Sequence, residues 1–363
     1  MSHLFSPLRL REITLPNRIA VPPMCTYSAS NGMATDWHLA HLGSRASGGA
    51  GLIITEATAV TPVGRISPND LGLWDDCQVE PIARVTRFIH QQGAIAGVQL
   101  AHAGRKGSTW VPGTGVGTLP VEQGGWQVQA PSERAFGDGF AVPQALDETG
   151  IQQVIADFSA AAQRALAAGY RVVEVHAAHG YLLHQFLSPL ANLRTDEYGG
   201  SFENRTRLTR EVVAAVRAVW PQHFPVFVRL SATDWVDGGW SIEETVALAR
   251  ILREEGVDLI DTSSGGMVPS ASMPLGPGYQ TGFAEQVRRE AGIATGAVGL
   301  ITAAEQADHI IRTRQADLVL VGREILRDPY WPLHAAQALG QPAHWPHQYL
   351  RAAPAGSTQR GSL

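Results

Sequence analysis

The chain has 363 residues, 44% hydrophobic and 17% charged, enough apolar surface to bury a large core without disulfides or metals as staples. Its 28 basic and 33 acidic side chains leave a net charge of −5 with no run of Lys or Arg, which argues against a nucleic-acid surface or an anionic-membrane patch. Two cysteines, Cys25 and Cys77, exclude a disulfide framework, the longest apolar runs fall far short of the roughly 20 residues that span a bilayer, and no apolar core precedes a small-residue cleavage site, so a soluble cytoplasmic protein is expected.

Short apolar, β-branched runs bounded by Gly, Pro or polar residues occur at 19–21, 52–55, 95–99, 172–175, 226–230, 259–262, 293–298 and 318–321. Between them lie stretches of helical period at 77–91, 151–167, 204–219, 241–254, 279–290 and 303–313. Asp147 and Ser241 offer N-terminal caps, and Gly93, Gly169, Gly256 and Gly292 offer C-terminal stops before the next strand. The strands read as continuously apolar, so both faces are covered. Eight such units predict a single closed (β/α)8 TIM barrel over 1–350, with a tail at 351–363. No G-x-G-x-x-G turn follows an early strand, as an open dinucleotide-binding sheet would want. The segment 107–143, rich in Gly and Pro and carrying Trp110 and Trp126, is a long loop after strand 3 and reads as a lid or binding loop. From Gly340 on the chain is expected to run extended and end disordered.

In such barrels the chemistry lies just past each strand's C-terminal end. Those positions carry Pro23-Met24-Cys25-Thr26-Tyr27, Glu56-Ala57, Gln99 with His102, His176 with His179 and Tyr181, Arg229, Ser263-Ser264-Gly265, Val298-Gly299 and Gly322-Arg323. Three readings fit the densest group: a metal site of Glu174, His176 and His179; packing alone; or two neutral imidazoles holding a substrate oxyanion beside Tyr181 as proton donor. His38 and His41, three apart, read as an ordinary helix capped by Asp36. The glycine turns at Gly299 and Gly322, with Arg323, make a phosphate cradle where barrels commonly place one, after strands seven and eight. Arg229, unpaired in the mouth, calls for an anionic partner; with Gln99 it would face a polar heteroaromatic edge. Cys25 is placed for a cofactor contact, whereas Cys77 reads as inert.

Asn17-Arg18-Ile19, PPMCTY, GLIITEAT, GVQLAHAGRK, EVHAAHGYLLHQFLSPLANLRTDEYGGSFENRTR, VFVRLS, AVGLI and ADLVLVGREILRDPYW follow one another along the chain. Together they make it resemble the Old Yellow Enzyme family of FMN-dependent ene-reductases, in its thermophilic-like bacterial subgroup. The resemblance implies FMN across the barrel mouth: Pro23, Met24, Cys25 and Ala57 along its dimethylbenzene and N5 side, Gln99 and Arg229 at its pyrimidine edge, and Gly299, Gly322 and Arg323 at its phosphate. Cys25 stands where yeast-type members carry threonine and is expected to tune the flavin potential rather than act as a nucleophile.

The resemblance further implies that NADPH or NADH reduces FMN and leaves, and that an α,β-unsaturated carbonyl (a cyclic enone, a maleimide, a nitro compound) binds in its place. His176 and His179 would polarise its oxygen, flavin N5 would deliver hydride to Cβ, Tyr181 would protonate Cα, and Tyr27 would line the substrate site. A homodimer or homotetramer follows from the same resemblance, with Arg351 reaching a neighbour's site, although its Leu-Arg-Ala-Ala-Pro setting departs from the usual aromatic-ended tail. The alternatives are a xenobiotic or nitrate-ester reductase on the same site, a metal-dependent barrel hydrolase, and a flavin-binding barrel without turnover. The larger dienoyl relatives carry clustered cysteines for an iron–sulfur segment, which two cysteines cannot supply.

Overall fold

A computed structural model describes residues 3–358; residues 359–363, the end of the expected tail, lie outside the described residues. Eight parallel strands close a barrel in the order β3 (Ile19–Val21), β4 (Leu52–Ala59), β5 (Ile95–Ala101), β8 (Val172–Ala177), β9 (Val226–Ser231), β10 (Leu259–Ser263), β11 (Ala294–Ala297) and β12 (Leu318–Leu320), which pairs back with β3. Every predicted run became one of these strands, and β4, β5, β8, β9 and β10 carry no exposed residue, as strands covered on both faces require.

The outer ring comprises α1 (Asp36–Ser47), α2 (Val79–Gln91), α3 (Glu148–Ala167), α4 (Leu182–Leu187), α5 (Phe202–Val219), α6 (Ile242–Glu254), α7 (Thr281–Ala291), α8 (Ala304–Arg312), α9 (Arg323–Arg327) and α10 (Trp331–Ala338). Asp147 caps α3 by accepting from Gly150 N at 2.8 Å, and Ser241 and Glu244 close a capping box on α6. On α1 the expected cap, Asp36, is displaced by Thr35, whose backbone N–H donates to His38 Nδ1 at 2.9 Å. Asp36 points outward instead and pairs with Arg84.

Sequence periodicity did not anticipate the hairpin of β1 (Leu8–Leu10) and β2 (Ile13–Leu15), whose three-residue strands are too short to display a period. Its Leu8, Leu10, Ile13 and Leu15 pack on Leu52, Ile95, Val172, Phe227, Leu259 and Leu318, the inward residues at the strand beginnings. The hairpin therefore stoppers the N-terminal end of the barrel and leaves the C-terminal mouth as the open one. The chain after Gly340 is more ordered than expected: a 3₁₀ turn spans His347–Ala352, and Ala343 N donates to Ser357 O at 2.8 Å.

The loop 107–143 is pinned rather than loose. Within it β6 (Gln129–Ala130) pairs with β7 (Gln144–Ala145), just past its end, and Leu119, Val128 and Ala130 are buried. Trp126 Nε1 donates to Val63 O at 2.9 Å, and the Arg65 guanidinium lies 4.6 Å from the Trp126 ring and 5.4 Å from Trp74. A half-buried cation–π contact and one hydrogen bond are together worth about 1–3 kcal/mol. Trp126→Ala is accordingly expected to speed amide exchange across 107–143 about tenfold while the barrel strands stay protected, a result hydrogen–deuterium exchange reads directly.

Candidate active site

β8 runs on to Ala177, two residues beyond its apolar run, so Glu174 and His176 share the inward face. The chain then turns through His179 (φ 58°) and Gly180 (φ 73°) into α4, with Tyr181 as its N-cap. At Gly180 a Cβ would stand 2.1 Å from Gly266 O, so only glycine fits. His179 adopts a left-handed conformation that costs a non-glycine residue roughly 1–2 kcal/mol, and its neighbours hold it there. Its N–H donates to Ser231 Oγ at 2.9 Å, its ring Nε2 meets Ser263 Oγ at 2.7 Å, and its carbonyl accepts from Lys106 Nζ at 2.8 Å.

This turn gathers three rings. His176 lies edge-on to His179 at 5.2 Å and to Tyr181 at 5.1 Å between centroids. Burial, then the Arg229 charge, pushes both imidazoles well below their ordinary pKa, so each is neutral with one N–H to offer. Among the described residues His176 Nδ1 is buried without a hydrogen-bond partner. Burial, then Cys25, Tyr27 and Asp70, raises the Tyr181 phenol, which stays protonated at neutral pH. Lys106, which also donates to Gly266 O at 3.0 Å, holds its ammonium 5.1 Å from the Tyr181 ring and 4.6 Å from Phe136 of the long loop. Burial, then Arg105, brings Lys106 down to about 8. Lys106 and Ser231 escaped sequence reasoning; the only signal was the Gly104-Arg105-Lys106 turn directly after β5.

Pro23, Met24, Cys25 and Tyr27 follow β3 as a half-buried loop, with Tyr27 again left-handed at φ 51°. Glu56 ties this loop to β4 by accepting from Thr26 N and Thr26 Oγ, both at 2.7 Å, and Ala57 follows at the β4 bulge. Burial, then Asp70 and Glu56, raises the Cys25 thiol and keeps it protonated, a poor state for a nucleophile. Gln99 is buried and donates to Glu174 Oε1 at 2.8 Å. Arg229 is not the unpaired cation expected: its Nε lies 3.0 Å from Asp261 Oδ2 on the next strand, although out of line for a hydrogen bond.

Beyond β11 and β12 opens a cavity of about 240 Å³ lined by Tyr279, Gln280, Gly299, Gly322 and Arg323 among others. Gly299, at φ 126°, brings its backbone to the cavity wall, where a Cβ would press on Gln280 Nε2 at 3.0 Å. Gly322 is the N-cap of α9, and Arg323 stands exposed at the rim.

Other candidates fall outside this site. Glu174, offered as a metal ligand, is engaged by Gln99, and among the described residues no three His, Cys, Asp or Glu side chains converge as ligands. His38 faces Glu56 at 3.4 Å while His41 stacks on Trp37, so the two do not act together. Arg351 is exposed on the C-terminal 3₁₀ turn and has no ion-pair partner among the described residues. Cys77 is exposed in the turn before α2. No helix of the described residues is long and apolar enough to cross a membrane.

The sequence pattern of a family described as NADH:flavin oxidoreductase / NADH oxidase matches residues 3–341. NADPH dehydrogenases of Listeria monocytogenes and Listeria innocua are 50% and 49% identical over 354 residues, covering 97% of this chain and 99% of theirs. Among solved structures, morphinone reductase aligns with a TM-score of 0.77 and 30% identity, over 100% of this chain and 94% of that one. An Old Yellow Enzyme homologue from Zymomonas mobilis aligns with a TM-score of 0.78 and 28% identity, over 94% of each chain.

Proposed function

Because the chain belongs to the NADH:flavin oxidoreductase / NADH oxidase family and is an FMN-dependent oxidoreductase of Old Yellow Enzyme type, drawing electrons from NADPH or NADH, we propose that it reduces the C=C bond of α,β-unsaturated carbonyl compounds. The observation that carries this reading is the cluster of two neutral imidazoles and a protonated phenol packed edge to edge past the C-terminal end of β8.

The residues present fit FMN. The Gly299 and Gly322 backbones with Arg323 suit its phosphate, Gln99 and the Arg229 guanidinium, whose Nε finds no acceptor in line, suit its pyrimidine edge, and Pro23, Met24, Cys25 and Ala57 offer an apolar bed for its rings. FMN bound there supplies two-electron transfer between the nicotinamide donor and the alkene. His176 and His179 donate to the carbonyl oxygen, and as neutral donors they hold the negative charge that grows there without giving up a proton. That charge withdraws electrons from Cβ. Tyr181 delivers its proton to Cα, and the Lys106 ammonium above its ring favours the phenolate that remains. Tyr27 and the loop 107–143 bound the substrate space, and a second copy of the chain brings Arg351 to it in a homodimer or homotetramer.

An anaerobic visible spectrum tests the proposal. A yellow band that bleaches with NADPH and returns on adding cyclohexenone supports it; a band that bleaches and stays bleached refutes enone reduction.

The Lys106 charge gives a pH prediction. The ammonium is present below about 8 and lost above it, so re-oxidation by enone should fall about three- to tenfold as pH rises from 7 to 9. Lys106→Met should be slow throughout and lack that limb, which stopped-flow across the pH range measures.

A further inference from the structure

Beside Gln99 and Arg229 the barrel interior sets two carboxyl groups against one guanidinium. Gln99 on β5 is in register with Glu174 on β8, and Arg229 on β9 with His176 on β8 and Asp261 on β10, so Glu174 lies one inward step below the Arg229–Asp261 register. Glu174 and Asp261 are fully buried, and Gln99 is 1% exposed. Glu174 Oε1 accepts from Gln99, but Glu174 Oε2 and both oxygens of Asp261 are buried without a donor. The two carboxyl groups lie within hydrogen-bonding reach of each other, and the charged group facing them is Arg229. His176, the next inward residue on β8, is neutral; β11 presents Gly296; and the floor below is Val172, Phe227 and Leu259.

Two anions beside one cation in an interior shut off from water cannot both stay ionised. One proton placed between them gives an O–H···O bond, satisfies an orphaned oxygen and leaves a single carboxylate to balance Arg229. Burial, then the mutual repulsion of the two groups, raises Glu174 in agreement with this arrangement, with Arg229 opposing it.

We infer that Glu174 and Asp261 share one proton and form a redox-linked acid pair, which takes up a second proton when negative charge enters the mouth above Arg229. The linkage, though not the shared proton, rests on the flavin reading of that mouth. The step balances. Hydride leaves NADPH as NADP⁺ and adds one negative charge to the mouth; a proton from solvent then binds the remaining carboxylate. When the hydride passes on to the alkene, that proton returns to solvent, separately from the one Tyr181 delivers to Cα. Glu174 and Asp261 touch no reacting atom and are positioning residues that act through Arg229.

Two measurements on the full-length protein as isolated test this. Infrared spectra of chain labelled with [¹³C]glutamate or [¹³C]aspartate should show an isotope-sensitive protonated carboxyl stretch at pH 7 that Glu174→Gln abolishes; its absence from wild type overturns the shared proton whether or not flavin is bound. Anaerobic reduction by NADPH in weak buffer with a pH-indicator dye should show proton uptake that falls by half or more in Glu174→Gln and in Asp261→Asn. Equal uptake in all three proteins, with the infrared band present, overturns the redox linkage alone. Asp261→Asn keeps the dye test decisive should Glu174→Gln fail to fold.

Discussion

Tyr181→Phe is expected to slow re-oxidation of the reduced enzyme by an enone roughly 10²–10⁴-fold, the usual contribution of a positioned general acid, while reduction by NADPH changes by no more than about twofold. The asymmetry follows from the site. The phenol is held protonated by burial and by the neighbouring Cys25, Tyr27 and Asp70, so it enters the cycle with a proton to give. Hydride delivery from a nicotinamide needs no proton, so the reductive half does not involve it. The substitution removes one oxygen and keeps the ring that lies edge-on to His176 and beneath Lys106, which leaves the packing intact. Single-turnover stopped flow on each half-reaction separates the two; an equal loss in both would remove Tyr181 from the acid role.

The imidazole pair should be as sensitive. His176→Ala or His179→Ala each removes one of the donors proposed for the carbonyl oxygen and is expected to lower kcat/KM for an enone by roughly 10²–10³-fold. Turnover with ferricyanide, which has no carbonyl to dock, should be nearly unchanged. His179 occupies a left-handed backbone position, so His179→Asn, a residue that tolerates that conformation, serves as the control for strain. Because both rings are held well below their ordinary pKa, the enone reaction should show no imidazole limb between pH 6 and 8. A limb near the ordinary histidine value would mean that the substrate binds to a charged ring.

The barrel was legible because parallel strands buried on both faces leave unbroken apolar runs, and those runs sit within a few residues of the observed strands. The trio His176, His179 and Tyr181 was legible for a similar reason: six residues of chain and one turn bring them together, so local sequence suffices. What depends on register between distant strands was hidden. Arg229 read as unpaired because its neighbour Asp261 is supplied by the next strand, and nothing in either segment announces the pairing. Lys106 reaches the carbonyl of His179 across 73 residues, and Asp36, which read as the cap of α1, pairs with Arg84 on α2 while Thr35 takes the cap.

The hairpin at the bottom of the barrel has a kinetic corollary. With its base closed the barrel offers its mouth alone, and on the proposed reading the electron donor and the alkene occupy the same place there in turn. On that reading each obstructs the other, and parallel double-reciprocal lines at low concentration with inhibition by excess alkene are the expected result.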